Sequence, residues 1–157
     1  MVEDSPIPQI VLAAASDVAE ILMLQYLAYR SEALIHGDFS IQPLRQTLAE
    51  IGEEYRKSIF LKAVVASKII GSVRGREENG TVYIGKLMVD PSHQGKGLGR
   101  RLLAAIERQF PNKRYELFTS SKSDRNLRLY AAAGYTRFRE EKDGAGIAFV
   151  YLAKNLP

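Results

Sequence analysis

The 157-residue sequence contains no cysteine. Disulfides, thiolate metal sites and a cysteine nucleophile are thereby excluded together. A chain without thiols fits a reducing compartment, and a cytoplasmic location is expected. Histidine is nearly as scarce: His36 and His93 are the only two, so no metal site is expected. No run reaches the ~18 apolar residues that a membrane span requires. The opening stretch MVEDSPIPQIVLAAASD begins with acids rather than Lys or Arg, which argues against an export signal. Internal repeats, low-complexity tracts and linkers are also missing.

What is present is ordinary for a globular protein. With 46% hydrophobic and 25% charged residues, disordered and fibrous classes fit poorly. The length suits a single domain over 1–157, which would bury roughly 68–70% of its unfolded surface without metal or disulfide staples. A net charge of +4 and a pI near 9.3 suit a polyanionic partner without naming it. Arg100-Arg101 and Lys113-Arg114 sit in no recognisable nucleic-acid motif, so neither nucleic acid nor membrane is expected as a partner.

Residues 7–13 read as a strand. Ser16 and Asp17 offer caps for a helix with Val18, Ile21, Leu24 and Leu27 on its apolar face, ending at the turn cluster His36-Gly37-Asp38. A second helix has Pro43 near its first turn and Leu44, Leu48, Ile51 and Tyr55 on one face. The period then changes. Residues 59–66, 69–76 and 81–89 read as three consecutive antiparallel strands, joined at Ser67-Lys68 and Asn79-Gly80. Leu98, Leu102, Ile106 and Phe110 mark an amphipathic helix. A strand over 115–119, a helix over 127–133 capped by Asp124 and ended by Gly134, and strands over 135–141 and 147–152 complete the chain. This order describes a mixed α/β domain with a partly antiparallel sheet.

The most informative segment joins the strand over 81–89 to the helix through Gly95, Gly97 and Gly99. Glycines there permit positive φ and close approach of a ligand. The first N–H groups of the helix lack partners and carry the positive end of its dipole, which makes an anion site. Lys96, Arg100 and Arg101 add charge. Lys96 is followed by glycine, not Ser or Thr, so this is no Walker loop. The spacing G-x-G-x-G also departs from the dinucleotide fingerprint.

Gln94-Gly95-Lys96-Gly97-Leu98-Gly99 instead resembles Q/R-x-x-G-x-G/A, the pyrophosphate signature of the GNAT superfamily of acyl-CoA N-acyltransferases. Asn126 and Tyr130 share a helix face ahead of Gly134-Tyr135 and resemble that family's second motif. The resemblance implies a GNAT-like α/β (α+β) domain with a mostly antiparallel central sheet flanked by helices, often dimeric. It implies acetyl-CoA as co-substrate and an amine acceptor. Backbone of Gln94, Gly95, Lys96, Gly97, Leu98 and Gly99 would hold the pyrophosphate, with Arg100 beside it. Backbone of Met88 and Val89 would hold the pantetheine arm, and Asn126 would face the same ligand. Val89 would also polarise the thioester carbonyl, and Tyr130 would protonate the departing thiolate as general acid.

The acceptor must lose a proton before it attacks, which costs a lysine-like ammonium about 4.6 kcal/mol at pH 7. Many family members place a Glu on the strand before the loop for this purpose, but residues 81–89 contain none. Glu32 is the leading candidate base, because its region usually lines the acceptor site in the family. Tyr83 and Glu116 follow, and His93 sits in the approach to the loop. Tyr26, Tyr29, Arg30 and Asp38 are further candidates to face the acceptor. The alternative is a non-catalytic acyl-CoA-binding regulatory module, against which Tyr130 counts.

Overall fold

The computed structural model describes residues 6–155. The acidic opening on which the reading against export rests lies at residues 1–5, outside that range.

The central meander follows from its turns. Strands β2 (Ile59–Val65), β3 (Lys68–Glu78) and β4 (Thr81–Val89) are joined by two-residue loops. Ala66 and Ser67 have φ of 49° and 66°, and Asn79 and Gly80 have φ of 51° and 83°. Positive φ at both loop residues is the twist that closes a tight hairpin. The first turn is therefore Ala66-Ser67, one residue earlier than the sequence suggests. A short β1 (Gln9–Leu12) pairs antiparallel with β2.

Three further strands, β5 (Arg114–Ser120), β6 (Thr136–Lys142) and β7 (Ala148–Lys154), complete a seven-stranded sheet in the order β1-β2-β3-β4-β5-β7-β6. Every neighbouring pair is antiparallel except β4 and β5.

Helices cover both faces. Here α1 (Val18–Ala28) and α4 (Leu48–Lys57) lie over one, packing Ile21, Leu24 and Ile51 with Phe60, Ile69 and Met88. The other carries α5 (Leu98–Gln109) and α6 (Asp124–Ala132), with Leu98, Leu102, Ile106 and Tyr130 packed on Leu61, Ile70, Val73 and Leu117. Residues 69–75 of β3 are buried throughout, as expected of a strand covered on both sides. α5 lies so close that a Cβ on Gly71 would meet Leu102 Cδ1 at 2.9 Å, and one on Gly75 would meet Ile106 Cγ1 at 3.1 Å.

Two helices differ from the sequence reading. The first breaks at Tyr29 (φ −86°, ψ 1°) and continues as α2 (Arg30–His36). The second is a single turn α3 (Gln42–Arg45), after which α4 starts afresh. Thr47 Oγ1 accepts from the Glu50 N–H and Glu50 Oε1 accepts from the Thr47 N–H, a capping box that fixes the new start. Leu48 is consequently exposed rather than on the apolar face. Ser123, not Asp124, is the N-cap of α6, and Gly134 (φ 97°) follows its end.

The functional consequence lies between β4 and β5. They pair over only Thr81↔Arg114, Val82↔Tyr115 and Tyr83↔Glu116. Both then run on, to Val89 and Ser120, without touching. On its other side β4 pairs Gly85 with Arg74 and Met88 with Ser72, so Lys86 and Leu87 together face Val73. This bulge, with Lys86 at φ 50°, bends β4 away from β5 and opens the sheet.

Candidate active site

Backbone groups line the opening. The Asp90 N–H donates to the Ile70 carbonyl at 2.7 Å, so Asp90 is hydrogen-bonded to β3. Antiparallel bonding alternates. Met88 therefore also spends its N–H and C=O on β3, while Val89 directs its own into the opening. The Val89 carbonyl accepts from Gln94 Nε2 (3.3 Å), which leaves its N–H as the donor facing the cleft. By the same alternation, the Met88 backbone, from which a pantetheine contact is expected, is turned toward β3 instead. The Met88 side chain is buried, and Leu87 lines the opening.

Two cavities meet there. One, of about 720 Å³, runs from β4 over Gln94, Gly95, Gly97, Leu98, Gly99 and Arg100. Gly95 and Gly97 both have φ of 80°, and a Cβ on either would meet nothing within 4 Å. The loop thus presents backbone to open space. The Arg101 N–H closes the first turn on the Gly97 carbonyl (3.2 Å), and the N–H groups of Leu98, Gly99 and Arg100 precede it without intrahelical partners. Lys96 is exposed and is not among the lining residues. Arg100 and Arg101 donate to the carbonyls of Ala132 and Pro8. The opposite wall supplies cations that the sequence analysis did not single out: Lys122, Arg125 and Arg128 at the start of α6. Arg125 and Arg128 are three apart on one face, a signal visible in the sequence, and Arg125 Nη1 also holds Gln94 Oε1.

The second cavity, of about 1060 Å³, lies on the α1–α4 side of the opening. Tyr29, Glu32, Leu87 and Asn126 line both cavities and mark their junction. Asn126 Nδ2 donates to Thr119 Oγ1 (3.1 Å), fixing α6 against β5. Glu32 accepts from Ser123 Oγ (2.9 Å) and lies 3.8 Å from His36 Nε2. Tyr130 is buried and lines the larger cavity, and its hydroxyl is bonded to no described residue. Its pKa is pushed well above the usual tyrosine range, first by burial and then by Tyr29 and Glu32 nearby. Burial likewise pushes Tyr29 up to about 12. Both phenols stay protonated at neutral pH, so Tyr130 can give a proton and cannot take one.

The other acceptor-side candidates divide. Tyr83, Glu116 and Asp38 line the larger cavity. Tyr26 does not, since its hydroxyl donates to the Gln46 carbonyl. Arg30 is exposed and lines neither cavity. His93 lines the loop-side cavity with Nδ1 3.0 Å from Ser92 Oγ. Two cavity residues went unnoticed in the sequence. Arg74 is buried, with one nitrogen on Glu54 and another on Gln25. Lys86 projects from the bulge. Among the described residues no cluster of His, Asp and Glu is arranged to hold a metal, and no helix is long and apolar enough to cross a membrane.

A sheet opened between two parallel strands, with a glycine loop on one side and an ionisable chamber on the other, gives two ligands a place to meet. The family is given by the sequence itself: the acetyltransferase (GNAT) domain profile matches residues 28–156, and the chain belongs to that family. Acetyl transfer is the reaction class this membership carries. No curated protein matches the sequence.

Solved structures share the fold at low identity. The ribosomal-protein-S18-alanine N-acetyltransferase of Escherichia coli superposes with a TM-score of 0.77 at 13% identity, covering 96% of each chain. YncA of Salmonella typhimurium, a putative acetyltransferase solved with acetyl-CoA, gives 0.74 at 21%, covering 97% of this chain and 95% of its own. The PaiA N-acetyltransferase of Thermoplasma acidophilum, solved with coenzyme A, gives 0.71 at 18%, covering 95% and 99%.

Proposed function

We propose that this protein transfers an acetyl group from acetyl-CoA to a primary amine by direct attack on the thioester. The observation that carries the reading is the Val89 N–H, directed into the opening where the two cavities meet. The loop side fits coenzyme A. Its glycines leave room for a pyrophosphate, its helix N–H groups are unpaired, and Arg125 and Arg128 supply charge opposite. When bound, the co-substrate supplies the activated acetyl group and a thiol leaving group.

The chain's own residues do the rest. The Val89 N–H polarises the acetyl carbonyl. Glu32, at the junction, takes the proton of the attacking amine. An ammonium has no lone pair, so the acceptor attacks from its neutral form, and the proton Glu32 takes is the one the nitrogen sheds as the C–N bond forms and the nitrogen acidifies. Tyr130 donates to the sulfur as the C–S bond breaks. In water a phenol near 10 is a weaker acid than a thiol near 8.5, a difference of about 2 kcal/mol. Burial raises both groups, Tyr130 included, so the proton moves only as the C–S bond breaks and charge develops on the sulfur.

Calorimetry of acetyl-CoA with the wild type and Gly97→Trp tests the placement. Micromolar binding that the variant loses is expected. Equal binding by both would put the ligand elsewhere, and binding without turnover of any amine would make the chain a regulatory acyl-CoA-binding module.

A further inference from the structure

Most of the charges around the larger cavity already have a partner, either an opposite charge or a neutral polar group. Asp38 accepts from the backbone and hydroxyl of Ser40, and Glu116 accepts from Arg114 Nε at 3.0 Å. Asp143 accepts from the N–H groups of Ala145 and Ile147. Glu54 holds Arg74, and Glu78 holds Arg76 at 2.6 Å.

Lys86 is a cation with a neutral partner. It is half-buried, and its Nζ donates to Gln42 Oε1 at 2.9 Å. Among the described residues it is in no ion pair. The groups that face it are the Tyr29 ring, 5.9 Å from Nζ, the Arg74 guanidinium and the Glu54 carboxylate already bound to Arg74. A half-buried ammonium near a second cation, and without an anion of its own, is an arrangement that a bound carboxylate would relieve. Its burial, with Arg74 next, holds the Lys86 pKa down at about 8.

Tyr29 connects this cation to the reacting end. It lies on the break before α2, three residues from Glu32, and shares both cavities with it. Glu32 and Lys86 thus both neighbour one tyrosine, an acid at the junction and a cation in the chamber. The cavity also holds an aromatic cluster: Phe118 packs against Phe149 at 5.5 Å and Tyr151 at 5.3 Å between ring centres, with Arg139 over the Tyr151 ring, and all four line the cavity.

We infer that the acceptor is an amine that also carries a carboxylate, in the manner of an amino acid with an apolar body, and that Lys86 binds that carboxylate. This rests on the acetyltransferase reading above.

The test compares initial rates for the common free amino acids, the amide of each, and spermidine. For at least one amino acid, kcat/KM of the acid should exceed that of its amide by tenfold or more. Lys86→Met should bring the acid down to the level of its amide, through KM, and Lys86→Arg should retain most of the preference. Calorimetry with acetyl-CoA shows whether the Lys86→Met cleft is intact. Preference for amides or spermidine in the wild type, or a preference for the acid that survives Lys86→Met, overturns the assignment while leaving acetyl transfer in place. Acetyl-CoA binding with no turnover of any acceptor removes the transferase reading, and this inference with it.

Discussion

The role proposed for Tyr130 rests on its surroundings. Burial keeps its proton in place, and its hydroxyl is engaged by no described residue, so the group is held ready without being occupied. Tyr130→Phe preserves the ring contact with Tyr135, whose centre lies 6.1 Å away, and removes only the donor. Steady-state kinetics should show kcat reduced by about 10²-fold. Acetyl-CoA affinity, read by calorimetry, should move little. A proportionate loss of affinity would make Tyr130 a binding residue instead.

At the scale of elements, β3 determines how closely the layers approach. Gly71→Ala would force its Cβ against Leu102 and the Met88 carbonyl, the latter at 3.2 Å. Such overpacking costs about 1–3 kcal/mol, to be read as a lower urea midpoint with unchanged slope. On the opposite face Arg74 stacks over Phe60 at 4.5 Å and depends on Glu54 for its charge. Glu54→Ala leaves a buried guanidinium unpaired and should cost about 3 kcal/mol by the same measurement.

What the sequence revealed follows from where structure is locally encoded. Asn79-Gly80 names its own turn, and Gly95 and Gly97 stand where φ reaches 80° in a loop that faces open space. The helix break at Tyr29 has neither Gly nor Pro to announce it. The bulge at Lys86 places a long charged residue at φ 50°, where glycine would be the ordinary choice, and only its pairing with β3 reveals it. The cavity charges are long-range as well. Arg74 meets Gln25 and Glu54 from separate elements, and Arg125 meets Gln94 across 31 residues. Val89 was legible through its motif, and its direction became legible only from strand register.

For the molecule as a whole, pH acts through groups of opposite sense. The depressed Lys86 pKa means that between about pH 8 and 10.5 the unfolded chain binds a proton that the folded chain does not. Stability contributed by this group therefore rises with pH through that window. Buried Tyr29, Tyr130 and Tyr135 have raised values, so above about pH 10 the unfolded chain loses protons that the folded one keeps, and stability falls. Thermal melts from pH 7 to 11 should show the wild type gaining on Lys86→Met between pH 8 and 10. Parallel curves for the two proteins would contradict the depressed value.

The three backbone pairs between β4 and β5 also have a mechanical meaning. They form a short seam between a four-stranded body and a three-stranded one. A ligand lying along Val89 and Asn126 would suture the two bodies, adding stability as RT ln(1 + [L]/Kd). Amide exchange in β5 and β7 would then slow together with that in β4, and two bodies that breathe separately would open as one.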